Sequence, residues 1–96
     1  MTAHVVVKCK VTDPVRYDHY KPLAAAAIAQ HRGRYLARGG TTAVMEGEWQ
    51  PKRVVVLEFA TLAAAKGFED SPEYRAARAL RSGAATMDVI PVEGIA

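Results

Sequence analysis

The feature that most constrains the fold is the segment between residues 31 and 58, where a glycine-broken stretch leads into the most strand-like run of the chain. It reads HRGRYLARGG, then TTAVMEGEWQPK, then RVVVLE. A continuous run of β-branched residues favours a central strand, and the Gly, Glu and Pro residues before it favour a turn. The segment therefore predicts a β-hairpin at the centre of the chain, with one strand and one helical region on either side.

The residues before this hairpin predict one strand followed by one helix. From His4 to Val11, valine and Cys9 alternate with other residues, which is typical of a half-buried strand. Asp13-Pro14 then supplies a helix N-cap and a proline at the first helical position. Apolar residues recur at helical spacing beyond it, although Pro22 predicts a kink or an early break. Gly33 can take the left-handed conformation that ends a helix.

The hairpin itself is predicted to contain a bent first strand. That strand covers Arg34–Arg38 and resumes over Thr41–Glu46 after a break at Gly39-Gly40. Paired glycines inside a strand pattern indicate a bulge, or the close approach of another backbone or a ligand. Gly47–Lys52 forms the turn, and Arg53–Ala60 forms the second strand of the hairpin.

The last third of the chain repeats the pattern of the first. Leu62–Asp70 has helical spacing, and Ser71-Pro72 repeats the cap-plus-proline device and restarts a helix that Gly83 ends. Thr86–Val92 is the last predicted strand, and Pro91 indicates that it lies at a sheet edge.

The resulting order, β-α-β-β-α-β, predicts an α+β fold of the ferredoxin-like type. Its four strands form one antiparallel sheet, with both helices on one face. The opposite face is not fully polar, because it carries Val6 and apolar residues of the third strand. We therefore expect a homodimer in which a second copy packs sheet to sheet on that face. Half of the 96 residues are hydrophobic, so we expect a single domain over residues 1–96.

Composition argues against several classes of partner. The 13 basic residues are interleaved with 10 acidic ones, so the net charge of +3 forms no block that would favour nucleic acid. No apolar stretch has the length of a signal peptide or a membrane span, which favours a cytoplasmic protein without a membrane partner. Cys9 is the single cysteine, and the three histidines show no ligand spacing. We therefore expect no disulfide, no metal and no cofactor, and we expect a buried thiol in a strand.

Several segments, taken together, resemble the DUF1330 family across essentially the whole chain. They are YDHY, HRGRYLARGG, RVVVLEF, AAAKGFEDSPEYRAAR and the closing VEG. The order and spacing of Gly39-Gly40, Glu46-Gly47, Glu58-Phe59 and Ser71-Pro72-x-Tyr74 match, whereas Arg32 stands where the family usually has a glycine. The resemblance implies a ferredoxin-like subunit of the dimeric α+β barrel superfamily. Relatives there include cofactor-free monooxygenases, isomerase-like enzymes, haem-degrading proteins and proteins without known activity, so the fold alone does not define a reaction.

In this architecture a cavity is expected between the sheet and the helices, and polar or aromatic residues near it are candidates for binding a ligand. The candidates are Tyr20, His31, Arg38, Glu58, Tyr74 and Arg81. The two arginines could hold a carboxylate, and Tyr20 or His31 could move a proton. Other roles are open. The tyrosines suit a core, His31 suits a helix C-terminus, and either arginine could neutralise a buried Glu58.

Two functions follow from these candidates. The first is a non-catalytic dimer that binds a small anionic or aromatic metabolite in the cavity. The alternative is a cofactor-free enzyme of the oxygenase or isomerase kind, in which Tyr or His carries a proton and Arg anchors an anion. The residues assign no catalytic role to any one side chain, so whether the protein is an enzyme is left open.

Overall fold

The computed structural model describes residues 1–95 and contains four strands and three helices. The elements are β1 (Ala3–Val11), α1 (Pro14–Gln30), β2 (Arg34–Arg38), β3 (Arg53–Phe59), α2 (Leu62–Glu69), α3 (Pro72–Arg81) and β4 (Ala85–Glu93). This order confirms the predicted pattern, with the second helical region divided into α2 and α3. Ala96, the last residue of the predicted domain, lies outside the described residues.

The four strands form one sheet in the order β2-β3-β1-β4, and every neighbouring pair is antiparallel. This is the predicted ferredoxin-like α+β fold. β3 is a central strand, as its apolar run indicated. β4 is an edge strand, as Pro91 indicated. A proline has no N–H to donate, and it is tolerated at this edge because no further strand of residues 1–95 lies beside β4 to accept a hydrogen bond.

The three helices and the inner face of the sheet enclose the core. Alternate residues of β1 and β3 point into it, and Cys9 is 1% exposed, so the predicted buried thiol is confirmed. α2 contacts β1, β3 and β4, whereas α1 packs mainly on α3. The helix pair α1–α3 therefore lies across the sheet with large side chains between the two layers.

α1 runs without interruption through Pro22, so the predicted early break is wrong. The helix begins as expected, because the Asp13 side chain accepts a hydrogen bond from the backbone N–H of Arg16. Pro22 is exposed, whereas Tyr20 and Ala24 on either side of it are buried in the core. Tertiary packing on both sides of the proline thus holds the helix together in spite of the lost hydrogen bond.

The predicted second part of the bent strand is also wrong, since residues 41–46 are not in a strand. Arg38 is already in register with Val55, and only two residues of β3 precede that position, so residues beyond Gly39-Gly40 find no partner strand. The sheet irregularity lies between Tyr35 and Ala37 instead of at the glycines. Residues 39–52 form an extended connection, here called the arm.

The outer face of the sheet has an apolar middle and charged flanks. Ala37, Val56, Val6 and Ile90 are paired in one row across all four strands. The row on one side contains the ion pair Lys8–Asp88, and the row on the other side contains Arg34–Glu58. An apolar centre with a polar rim is the usual anatomy of a protein–protein interface.

Candidate functional site

An apolar cavity of about 50 Å³ lies between the sheet and the helix pair α1–α3. Aliphatic side chains of β1 and β3 form its floor, and aromatic side chains of the helices form its roof. The floor contains Val5, Val7, Val55 and Leu57, and the roof contains Tyr17, Tyr20, Phe68 and Tyr74. The rings act as spacers between the two layers, so the cavity is a direct result of placing aromatic residues on the inner faces of the helices.

Two arginines line this cavity without a carboxylate partner. The guanidinium carbon of Arg38 lies 4.4 Å from the ring centroid of Tyr35, and that of Arg53 lies 5.9 Å from the ring centroid of Tyr17. Within residues 1–95, neither guanidinium has a carboxylate within 4 Å. The Nε atom of Arg53 is buried and makes no hydrogen bond to the described residues. The cavity wall therefore carries positive charge and a hydrogen-bond donor that are available to an anion.

Gly39 shapes the arginine end of the cavity. Its φ angle is +70°, and a side chain on it would overlap the guanidinium of Arg53. Its backbone N–H donates to the carbonyl of Val54 at 2.9 Å. Gly39 thus does mark a close approach, and the group that would meet its side chain is an arginine side chain and not a second backbone, whereas a side chain on Gly40 would meet nothing within 4 Å.

The roof tyrosines form a buried hydrogen-bonded group. The hydroxyls of Tyr20 and Tyr74 are 2.8 Å apart. Burial, together with the neighbouring Tyr74 hydroxyl, raises the pKa of Tyr20 above its ordinary value. Burial and the adjacent Cys9 thiol raise the pKa of Tyr17 to about 12. Both phenols are consequently protonated at neutral pH, so they can donate hydrogen bonds but do not serve as bases.

Three of the six predicted site residues meet at the cavity: Tyr20, Arg38 and Tyr74. The other three lie elsewhere. His31 packs edge-on against Phe68 and lies 3.4 Å from a carboxylate oxygen of Glu73. The guanidinium carbon of Arg81 is 5.8 Å from the Tyr20 ring centroid, and Arg81 is outside the cavity lining.

Glu58 lies on the outer face of the sheet, and the predicted pairing with Arg38 or Arg81 is wrong. Its carboxylate accepts a 2.7 Å hydrogen bond from Nε of Arg34 and lies 3.8 Å from His4. The reason is the alternation of β3, in which Leu57 is buried on the inner face and Glu58 therefore points away from the cavity.

Sequence reasoning missed six polar or aromatic residues that line the cavity: Tyr17, Lys21, Tyr35, Arg53, Phe68 and Glu69. A usable signal existed for Arg53, because it is two residues before Val55 and shares the inner face of β3. Lys21 is one helical turn after Tyr17, and its amino group is 3.1 Å from Asp18. The free positive charge of the site is therefore mainly that of the two arginines.

Residues 1–95 contain neither a metal-binding cluster nor a membrane-spanning helix. In residues 1–95, no three His, Cys, Asp or Glu side chains lie together in a way that would hold a metal ion. Over the same residues, none of the helices has the length and apolar character needed to cross a lipid bilayer.

Fold and cavity together define a class: a ferredoxin-like α+β protein with an apolar, tyrosine-roofed cavity between its sheet and its helices. Within that class, the chain belongs to the DUF1330 family, described as a domain of unknown function, which matches residues 2–95. The family resemblance seen in the sequence is therefore confirmed. No curated protein is significantly similar to the chain in sequence.

Solved structures support the fold at low sequence identity. A protein of unknown function from Rhodopseudomonas palustris has a TM-score of 0.77 at 16% identity, over 99% of this chain and 83% of that one. SnoaB, a cofactor-independent oxygenase from Streptomyces nogalater, has a TM-score of 0.70 at 14% identity, over 99% and 94% of the two chains. A dimeric protein of unknown function with a ferredoxin-like fold, from Bacteroides fragilis, has a TM-score of 0.65 at 18% identity, over 97% and 96%.

Proposed function

We propose that this protein binds a small anionic metabolite, with an aromatic or otherwise apolar body, in the cavity between the sheet and the helices. The observation that carries the proposal is the pair Arg38 and Arg53. Both line an apolar cavity, and neither guanidinium has a carboxylate of residues 1–95 within 4 Å. A ligand carboxylate beside them would gain charge-assisted hydrogen bonds, and the aliphatic floor would take the apolar body.

Binding without catalysis is the favoured form of this proposal. General-base catalysis near neutral pH needs a group whose pKa lies close to 7 within reach of the ligand. His31 is outside the cavity lining, and Tyr17 has a pKa of about 12. Glu69 lines the cavity, but its carboxylate accepts a 2.9 Å hydrogen bond from Arg78. The cavity is thus better supplied with hydrogen-bond donors than with bases, which suits the recognition of an anion.

The alternative is a cofactor-free enzyme, in which a cavity tyrosine carries the proton and Arg38 anchors the anion. Two observations favour it. The fold is that of SnoaB, a cofactor-independent oxygenase, and the protonated Tyr20–Tyr74 pair could donate to a negative charge that develops on a bound substrate. Because no histidine of residues 1–95 lines the cavity, such an enzyme would need a substrate acidic enough to lose its proton without a histidine base.

The outer face of the sheet supports assembly as a homodimer by sheet-to-sheet packing. Its apolar row includes Val56, Val6 and Ile90, and Ile90 is 60% exposed. The arm borders an open groove beside this face and exposes Met45 and Trp49 by 97% and 60%. The Bacteroides fragilis neighbour is described as dimeric. A second copy on this face would cover these apolar side chains and leave the cavity, on the opposite face, accessible.

The ligand proposal is tested by titrating the protein with benzoate, with benzyl alcohol as the uncharged comparison. Benzoate should bind more tightly than the alcohol, and Arg53→Gln should weaken benzoate binding about 10-fold or more, because a charge-assisted hydrogen bond is lost. Calorimetry or NMR shifts provide the measurement.

The matched control is Arg75→Gln, since Arg75 is an exposed arginine of α3 outside the cavity lining. This variant should bind benzoate as the wild type does. Equal binding of benzoate by the Arg53 and Arg75 variants would contradict the proposal. Native mass spectrometry of the protein purified without added ligand would show directly whether an anion of cellular origin is retained.

A further inference from the structure

A second apolar space adjoins the cavity and extends it under α2. This slot has a volume of about 260 Å³ and lies between α2 and β4. Val5, Phe68, Glu69 and Val89 line both the cavity and the slot, so the two spaces share a wall. The residues that line the slot but not the cavity are the apolar Ala65 and Pro91 and the exposed, charged Lys66 and Asp70.

We infer that the cavity and the slot together form one elongated site for an amphipathic carboxylate, an acid with a linear apolar tail. The inference rests on the proposed function, because it uses the same arginines to hold the carboxylate. It adds the direction and the length of the ligand: the tail runs from the arginine end, past Phe68, into the slot under α2.

The first argument is size. The cavity alone, at about 50 Å³, has room for a compact acid at most. Sites for small organic ligands have volumes of roughly 300–1,000 Å³. The slot, at about 260 Å³, supplies most of that volume. A ligand larger than a compact acid must therefore enter the slot, and the shared side chains Phe68 and Val89 must shift to admit it.

The second argument is charge polarity along the site. The arginine end carries the unneutralised guanidinium groups of Arg38 and Arg53. At the junction with the slot stands Glu69, whose carboxylate accepts a 2.9 Å hydrogen bond from Arg78. A ligand carboxylate beside Glu69 would be repelled, whereas one beside the arginines would be attracted. The other charged residues of the slot, Lys66 and Asp70, have opposite charges, so the slot offers a carboxylate no net attraction. The distribution of charge thus favours one orientation, with the carboxylate at the arginines and the tail beneath α2.

The experiment is a titration with butanoate, hexanoate, octanoate and decanoate, together with octanol as the uncharged comparison. Each methylene that enters the slot should tighten binding about fourfold, until the tail reaches solvent. Octanol should bind more weakly than octanoate, and Arg53→Gln should reduce that difference.

Filling the slot should remove the dependence on chain length. Ala65→Met places a larger side chain at a slot residue that is 3% exposed, and it should weaken decanoate binding at least 10-fold while benzoate binding is retained. The matched control is Ala63→Met, at an exposed position of the same helix. If Ala65→Met does not fold, Pro91→Phe, at a residue that lines the slot and not the cavity, serves the same purpose, and the wild-type chain-length series is a test in itself.

The outcomes separate this inference from the proposed function. Affinity that rises with chain length and is lost in the slot variant supports the inference. Arg53-dependent binding of benzoate and of all four acids with equal affinity would overturn the inference and leave the proposed function intact. Failure of benzoate and of every acid to bind, or binding that is unaffected by Arg53→Gln, would overturn both.

Discussion

At the scale of single residues, the direction in which a side chain points decides its role. Glu58 and Arg53 are on the same strand, but only Arg53 faces the cavity. Glu58 instead pairs with Arg34, whose side chain is 68% exposed, and an ion pair of that kind contributes at most about 1 kcal/mol to stability. The cavity chemistry therefore belongs to Arg53, Arg38 and the tyrosines.

The buried phenol of Tyr17 makes the free energy of unfolding depend on pH in the alkaline range. Its pKa is raised from 10.0 to about 12 in the folded state, so the folded protein holds this proton more tightly than the unfolded chain does. The resulting contribution to the free energy of unfolding is fully present below pH 10 and is lost as the pH rises towards 12. The measurement is urea unfolding at a series of alkaline pH values.

Tyr17→Phe removes the titrating group and should make the decline over that range shallower than in the wild type. Phenolate absorbance during a pH titration should show three tyrosines fewer ionising near the ordinary pKa in the folded wild type than in the unfolded wild type, because burial raises the pKa values of Tyr17, Tyr20 and Tyr35. An equally steep loss of stability in wild type and variant would show that Tyr17 does not control this range.

At the scale of elements, local propensity and tertiary packing disagree in α1. Pro22 deprives the helix of one hydrogen bond, and the element survives because Tyr17, Tyr20, Ala24 and Ile28 are buried against the rest of the core. The caps, in contrast, agree with the sequence: Asp13, Thr61 and Ser71 each accept a backbone hydrogen bond at the start of their helix.

Pro22→Ala should stabilise the protein by about 1–2 kcal/mol. An interior proline destabilises a helix by roughly 3 kcal/mol relative to alanine. The stabilisation gained by removing the proline is smaller than this, because the unfolded chain of the variant is more flexible. Chemical denaturation measures the change. Gln30→Ala, at the last residue of the same helix, is the control and should change stability by less than about 0.5 kcal/mol. A Pro22→Ala variant no more stable than this control would show that the proline is accommodated without cost.

At the scale of the whole molecule, two faces of one sheet have different tasks. The inner face, with the helices, builds the cavity, and the outer face with the arm exposes apolar side chains that a second copy would cover. The proposed ligand site and the proposed dimer interface are thus separated by the thickness of the sheet, and a variant on one face should leave the other face unaffected. The cytoplasmic location stays a prediction from the sequence.

Val6→Asp combined with Val56→Asp places two charges in the apolar row of the outer face, where the wild-type residues are paired neighbours. If a dimer forms there, the variant should be a monomer of 10.4 kDa, and the wild type should have twice that mass. Light scattering after gel filtration measures both.

Val15→Asp is the control for this prediction, because Val15 is 70% exposed on α1, on the helical side of the molecule. It should leave the mass unchanged. A wild-type protein that is monomeric at all concentrations would contradict the assembly, and an outer-face double variant that stays dimeric would place the interface elsewhere.

The sequence by itself determined the fold, because alternation in the strands, the caps Asp13-Pro14 and Ser71-Pro72, and the family pattern are all local signals that agree with each other. It also placed Tyr20, Arg38 and Tyr74 among the site candidates. Only the tertiary structure decided which charges meet. The β3 face that contains Val55 and Leu57 packs against the helices, which places Arg53 at the cavity and Glu58 on the opposite face. Packing also holds α1 together through Pro22. Because β3 begins only two residues before the partner of Arg38, residues 41–46 have no partner strand. Such outcomes depend on neighbours far apart in the chain, so the periodicity of a single segment does not predict them.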